Sequence, residues 1–524
     1  VPKTFAHGYR TAEAPVPAYT IQLSRGEKVT TRPRRKPRSK NFRALPEAAV
    51  LSYGPLSVDR NDPDTTFSAF HKRIAGKTAF QDPAILRDIR QFLERKILPL
   101  LPKPKVLLTH EEWLSHTSYS EKQKLALRQK ISANRGTHPT QRTAQRVSSF
   151  IKLESYGEWK IGRLINSRVD DFKVWCGRFF KTIERTLFHS RLARFFVKNL
   201  QPWERARRVR ELHDRHWKYY YSTDYSSFEK HFTKIVMECL EFPLYRYMLE
   251  GLISPSDLGF LFQILSGRNK LRTRSGHKAS VNARRMSGEM NTSLGNTFAN
   301  FLLCAYVMYS KGIGLGGFDA IFEGDDGMIG SNVPLTSEDF QRCGFDIKIS
   351  QVQNPMEASF CGLIFAESGQ TVRDPLRFFE NFGWTGSFIH AGPKIMNELL
   401  RAKSLSALYE TPSCPIISAA ARRCLSITRG HNARFVRDGY HDVDLIPRDE
   451  SKLSAPDVSD DTRVLFGRLF GIPPQEQLRL ERDILKGDWS SLAGGLELSA
   501  RVEPARYRGY CDVRSYSDRY IYSG

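Results

Sequence analysis

The sequence predicts a mixed α+β, enzyme-like fold, and three observations carry that reading. Strand and helix signals alternate through the middle of the chain. The last third is helix and loop. The composition, 40% hydrophobic and 26% charged over 524 residues, is that of a chain that folds around cores. A chain of this length divides into about two to four domains or subdomains.

Residues 1–65 are rich in Pro, Arg and Thr and read as irregular. Within them the stretch 25–43 carries Arg25, Lys28, Arg32, Arg34, Arg35, Lys36, Arg38, Lys40 and Arg43 against Glu27 alone, and Pro33 and Pro37 keep it from being helical. It reads as a solvated basic arm, which is compatible with contact to RNA. Asp82-Pro83 is a helix start, with an N-cap followed by Pro at the first helical position. Ile85, Leu86, Ile89, Phe92, Leu93, Ile97 and Leu98 then share one helical face, and Pro99, Pro102 and Pro104 end the helix. A further helix is expected over 111–134, a strand over 147–153 and an aromatic strand over 217–223. Phe228, Phe232, Ile235, Val236, Cys239 and Leu240 recur at helical spacing, and 291–309 is a second strong helix. Residues 320–322 and 328–330 flank a tight turn and read as a β-hairpin. Beyond about 385 the chain reads as helix and loop. Its last residues mix Arg with Tyr507, Tyr510, Tyr516, Tyr520 and Tyr522.

Charge and composition narrow the function. Lys+Arg is 80 against 56 Asp+Glu, a net charge of +24, which points to a polyanionic partner, nucleic acid first. The longest apolar run, about 298–309, is shorter than the roughly 20 residues that span a bilayer. The opening Val1-Pro2-Lys3-Thr4 has no apolar signal core, and a first residue other than Met is expected from processing or recoding. Eight scattered cysteines without a C-x-x-C pair read as free thiols in a reducing compartment rather than as a structural zinc site.

Three segments carry chemistry. Glu323-Gly324-Asp325-Asp326-Gly327 sets two adjacent carboxylates at a hairpin tip, a repulsion that a hard cation such as Mg²⁺ or Mn²⁺ relieves. Taken alone it is also an ordinary Asp/Gly turn. Asp224-Tyr225-Ser226-Ser227-Phe228-Glu229 places Asp224 where a strand gives way to a helix. That position suits a helix cap, or a carboxylate projecting into a cleft shared with the hairpin. Together the two segments supply what a two-metal site needs. In the third segment, 284–296, a Ser287-Gly288 loop opens into a helix that carries Thr292 and Asn296 one turn apart on one face.

The order and spacing of these segments resemble the palm motifs of viral RNA-dependent RNA polymerases of positive-strand RNA viruses. Asp224-x4-Glu229 resembles motif A, Ser287-Gly288-x3-Thr292-x3-Asn296 motif B, and Gly324-Asp325-Asp326 motif C. The string 285–296 is most similar to the tombusvirus-like group, as are Trp113-Leu114, Thr117 and Tyr119 upstream. Lys152, Lys160 and the run from Gly162 through Arg163 to Arg168 resemble motif F. Gly344-Phe345-Asp346-Ile347-Lys348 resembles motif D, and Phe360-Cys361-Gly362 motif E. One departure is Glu229, where the family usually has Asp.

The resemblance implies a right-hand polymerase: template-directed RNA synthesis from NTPs by two-metal-ion nucleotidyl transfer, with release of pyrophosphate. It implies catalytic Asp224, Asp325 and Asp326 holding two Mg²⁺ ions, for which Mn²⁺ substitutes, and Lys348 protonating the leaving group. It further implies NTP contacts from Lys152, Lys160, Arg163, Arg168, Glu229, Ser287, Thr292 and Asn296, and RNA contacts from Gly288, Phe360, Cys361 and Gly362. The expected parts are a basic extension over 1–65, fingers over 66–204 and 276–314, palm over 205–275 and 315–380, and a thumb with tail over 381–524. Template and product RNA are the implied partners. A membrane-anchoring viral replication protein or a further N-terminal region would hold the chain in membrane-associated complexes of the host cytoplasm. A reverse transcriptase would carry an aromatic residue at 229 and Tyr-x-Asp-Asp in motif C. A non-enzymatic RNA-binding or capsid-like protein would leave the paired carboxylates idle.

Overall fold

The computed structural model describes residues 5–9, 19–22, 28–31, 37–46, 55–76, 78–134, 136–198, 200–436, 446–453 and 456–495. Arg25, Arg32, Arg34, Arg35 and Lys36 of the basic stretch, and the tyrosines from Tyr507 to Tyr522, lie outside them. The strands among the described residues are β1 (Phe5–His7), β2 (Tyr19–Gln22), β3 (Lys28–Thr31), β4 (Lys40–Ala44), β5 (Arg146–Ile151), β6 (Leu164–Arg168), β7 (Tyr219–Tyr225), β8 (Arg268–Thr273), β9 (Lys278–Asn282), β10 (Phe318–Glu323), β11 (Asp326–Ser331), β12 (Ile347–Val352), β13 (Ile364–Phe365), β14 (Thr371–Val372) and β15 (Trp384–Thr385).

The middle of the fold is an antiparallel sheet in the order β10-β11-β7-β12. Its strands alternate between two cores, as side chains of period two must. Tyr221 and Tyr225 of β7, Phe318, Ala320 and Phe322 of β10, and Ile329 of β11 pack with the Thr292–Ser310 helix. Tyr220, Ile321 and Met328 face the other way, onto Ala206, Val209 and Leu212 of the Pro202–His213 helix. Aromatic and β-branched residues suit such a pleated layer buried on both sides. The 292–310 helix is apolar nearly all round because the sheet and other helices enclose it.

A second sheet runs β2-β3-β9-β8-β5-β6, antiparallel except where β5 meets β8. Val147, Ile151, Leu164, Leu271 and Val281 bury one of its faces against Phe67, Phe70 and Ile74. The C-terminal part is a helical unit. Helices Pro393–Glu410, Ile417–Ile427, Asp460–Phe470 and Pro474–Lys486 share a core with Phe378, Phe379 and Phe382.

Several expectations change. The N-terminal region is not an arm in its described parts: β3 joins the six-stranded sheet beside β9, and β4 pairs with both β1 and β15. Its strands find partners far along the chain, which local composition cannot announce. The helix expected over 111–134 is two helices, His110–Ser115 and Glu121–Asn134. Between them Ser115 and Thr117 bond back to the carbonyls of Glu112 and Leu114, and Ser120 bonds Gln123, so short hydroxyl side chains compete with the helix ladder. The helix expected from Phe228 begins at Lys234. Ser227 takes φ 55°, and Phe228–His231 is a single 3₁₀ turn. The boundaries expected at 65/66, 204/205, 275/276 and 380/381 cut the Pro63–Phe70 helix, the Pro202–His213 helix, the β8–β9 hairpin and the Pro375–Phe382 helix.

Candidate active site

β10 and β11 are joined by the two residues Gly324 and Asp325, with Glu323 paired to Asp326. Gly324 takes φ +64° and Asp325 does not share that sign. This is the pattern of a type II′ hairpin turn, whose first central position favours Gly. The turn is held from below by the 292–310 helix. The Gly324 N–H donates to Thr297 Oγ1 (2.8 Å), and Asn300 Nδ2 donates to the carbonyls of Gly324 (3.3 Å) and Asp326 (3.2 Å).

β7 lies beside β11 with Thr223 opposite Gly327, where an added Cβ would sit 2.5 Å from Thr223 Oγ1. Carrying that register one residue further brings Asp224 beside Asp326. On the other side of β7, Lys348 of β12 lies opposite Asp224. Opposed residues of an antiparallel pair project to the same side, so Asp224, Asp326 and Lys348 share one face of the sheet, at the end where the hairpin turns.

These groups feel one another. Burial, then Glu229 and Asp224, raise the Asp325 carboxyl above the usual carboxylate range, while the Arg163 charge pulls it back. Burial, then Asp325, Asp224 and Glu323, push Asp326 up to about 6, against a hydrogen bond from Cys361. Repulsion of this kind is what a divalent cation relieves, and the donors are hard oxygens. Among the described residues, no three His, Cys, Asp or Glu side chains converge closely enough to hold an ion unaided.

Glu229 is held at 3.4 Å by Arg73, from the helical turn His71–Ala75. Asn296 is buried, and its Oδ1 has no hydrogen-bond partner among the described residues. Thr292 Oγ1 donates to the Met286 carbonyl (3.0 Å), closing the loop before the helix. Ser287 Oγ accepts from the Asn166 N–H (3.1 Å), and the Gly288 N–H donates to the Asn166 carbonyl (2.9 Å). A Cβ at Gly288 would meet Asn166 O and Ser167 Cα at 3.0 Å. The structure therefore explains Ser287 and Gly288 by docking onto β6, where the resemblance implied an NTP contact and an RNA contact.

The remaining cations divide. The Lys152 N–H bonds the Arg163 carbonyl (2.9 Å), and both side chains reach Glu154, at 3.3 and 3.4 Å. Lys160 lies over the Tyr156 ring. Arg168 is fully buried. It donates to Glu289 (2.6 Å), the Ala144 carbonyl (2.7 Å) and Asn269 Oδ1 (2.7 Å), so it is a core residue and not the NTP contact expected. Phe360 is likewise only 2% exposed, packed with Met328 on the sheet face away from the 292–310 helix, and is not available to RNA. Cys361 (φ 51°) and Gly362 (φ 80°) form the turn after it, with Cys361 Sγ at 3.7 Å from Glu323. Sequence reasoning missed Arg73, Thr297 and Asn300, and also Arg205, which pairs with Glu323 at 2.7 Å. Thr297 and Asn300 had a signal, two polar residues inside an apolar helix; Arg73 had none.

A model of the viral RNA dependent RNA polymerase family matches residues 79–489. The RNA-directed RNA polymerase of Atlantic halibut nervous necrosis virus is 31% identical over 173 residues, 30% of this chain and 16% of that protein. The RNA-directed RNA polymerase of Greasy grouper nervous necrosis virus is 30% identical over 170 residues, with the same shares. The matched stretch thus spans 16% of the length of these curated relatives.

Proposed function

Because the chain belongs to the viral RNA-dependent RNA polymerase family, we propose that it synthesises RNA on an RNA template from NTPs, replicating and transcribing a viral genome. One observation carries the reading to particular residues: the Asp325-Asp326 hairpin beside the end of β7 that carries Asp224, with Lys348 opposite Asp224 across the next ladder.

Asp224 and Asp325, with Asp326, would hold two Mg²⁺ ions. When bound, these would activate the primer 3′-OH and neutralise the triphosphate in an in-line displacement of pyrophosphate. The chain's own residues do the rest. Arg163 and Lys152, presented by the loop between β5 and β6, offer cations to the triphosphate. Lys348, opposite Asp224 in the β7–β12 ladder, would give a proton to the leaving pyrophosphate. The unpartnered Oδ1 of Asn296 would accept from the ribose 2′-OH once substrate reaches it, and Glu229, one methylene longer than the usual Asp, pairs with Arg73. Base choice comes from pairing with the template.

In the right-hand description, the four-stranded sheet is the palm, the six-stranded sheet belongs to the fingers and the C-terminal helices form the thumb. The 285–296 string supports a place near the tombusvirus-like group. No helix among the described residues is long and apolar enough to cross a membrane. A membrane-anchoring viral replication protein, or a further region of the chain, would place it in membrane-associated complexes of the host cytoplasm. The test is incorporation directed by the template: changing one template base should change which NTP is added, and Asp224→Ala should abolish addition. Addition independent of template sequence would contradict the reading.

A further inference from the structure

The strands of the six-stranded sheet contain no Asp or Glu. One face of the sheet is the core described above. The opposite face presents Arg146 and Phe150 from β5, Arg268, Lys270 and Arg272 from β8, and Lys278 from β9, all exposed. The ladders set like charges side by side, Arg146 with Lys270 and Arg272 with Lys278. Such pairs destabilise a sheet. Among the described residues none of these five cations has a carboxylate partner; Arg268 Nε bonds Ser280 Oγ instead. Phe150 adds an aromatic side chain 46% exposed in the same plane of charge.

We propose that this sheet face is a docking surface for single-stranded RNA, distinct from the carboxylate cluster. Phosphates would sit on the five cations and a base would stack on Phe150. Uncompensated cations at ladder spacing fit a polyanion, and an exposed ring among them fits unpaired bases better than a duplex or an acidic protein. β6, at the sheet's edge, follows the loop that carries Arg163. The inference rests on the polymerase reading only for the choice of RNA as the polyanion.

The test is fluorescence anisotropy with a labelled single-stranded RNA across a salt series. The double variant Lys270→Glu/Lys278→Glu should weaken binding by about tenfold or more and flatten the salt dependence by about two phosphate contacts. Phe150→Ala should weaken it by about fivefold or more. Lys278→Glu faces Arg272 with a carboxylate, so its melting temperature should hold or rise, separating lost binding from lost folding. Arg95→Glu/Lys96→Glu, two exposed cations on another element, should have little effect. Unchanged binding in the double variant, an equal loss in the control, or displacement of the RNA by poly-glutamate at lower concentration would each overturn the proposal. Incorporation from a saturating annealed primer–template, measured in parallel with Asp325→Ala, keeps the two readings apart. Incorporation retained in Asp325→Ala would sink the polymerase reading and leave the binding result standing.

Discussion

At the scale of residues, the site is a set of carboxylates under tension and a few side chains that hold them there. Burial and the neighbouring carboxylates push Asp326 up to about 6 in the fold, from an ordinary value of 3.8. Between those values the folded state binds more protons, so this group's contribution lowers stability as pH rises through that window. A bound divalent cation competes with the same proton. The rise in melting temperature on adding Mg²⁺ should therefore grow as pH increases through about 6, and Asp326→Asn should remove that growth. A Mg²⁺ effect independent of pH in the parent protein would contradict the assignment. Arg73 and Glu229 make a second residue-scale case. If Arg73 fixes the longer Glu229 beside the ribose, Arg73→Ala should change the ratio of NTP to 2′-dNTP incorporation by about fivefold or more. An unchanged ratio, with overall activity lowered, would make Arg73 a purely structural partner.

At the scale of elements, the Asp325-Asp326 hairpin depends on the helix that bonds its turn. Asn300 satisfies carbonyls on both sides of the turn. Asn300→Ala should cost about 1–3 kcal/mol of stability and lower kcat by about tenfold with KM for NTP nearly unchanged. A fall in stability alone would deny Asn300 a positioning role. Gly327 packs so close to Thr223 that Gly327→Ala should destabilise by about 1–3 kcal/mol, read by denaturant unfolding. The hairpin and the 292–310 helix were legible because their signals are local: a Gly-Asp turn between apolar strands, and an apolar run. The positions of Asp224 near the end of β7 and Asp325 in the turn follow from the same local signals. One failure was local and the others were not. The break at 116–120 comes from hydroxyl side chains bonding back to the backbone. Arg168 looked like a site cation until its three buried acceptors were seen, and Phe360 shows how an aromatic beside a motif can belong to the core instead.

At the scale of the molecule, the N-terminal strands reach both ends of the architecture. β3 extends the six-stranded sheet and β4 meets β15 at the start of the C-terminal helical part. Sequence composition read that region as a basic extension, because strand partners hundreds of residues away leave no trace in a local window. The net charge of +24 was legible as a partner class. Only the fold shows that part of it collects on one sheet face, without carboxylate partners among the described residues. The claim on which these readings converge is that Asp325, at the tip of the hairpin, belongs to a polymerase centre. Its most direct test is template-dependent incorporation of labelled NTP with Mg²⁺, by the parent protein and by Asp325→Ala, with and without a primer, beside an RNA-binding measurement on both. Incorporation by the parent, lost in the variant while RNA affinity is kept, is the result expected. Equal incorporation by the two proteins would contradict it.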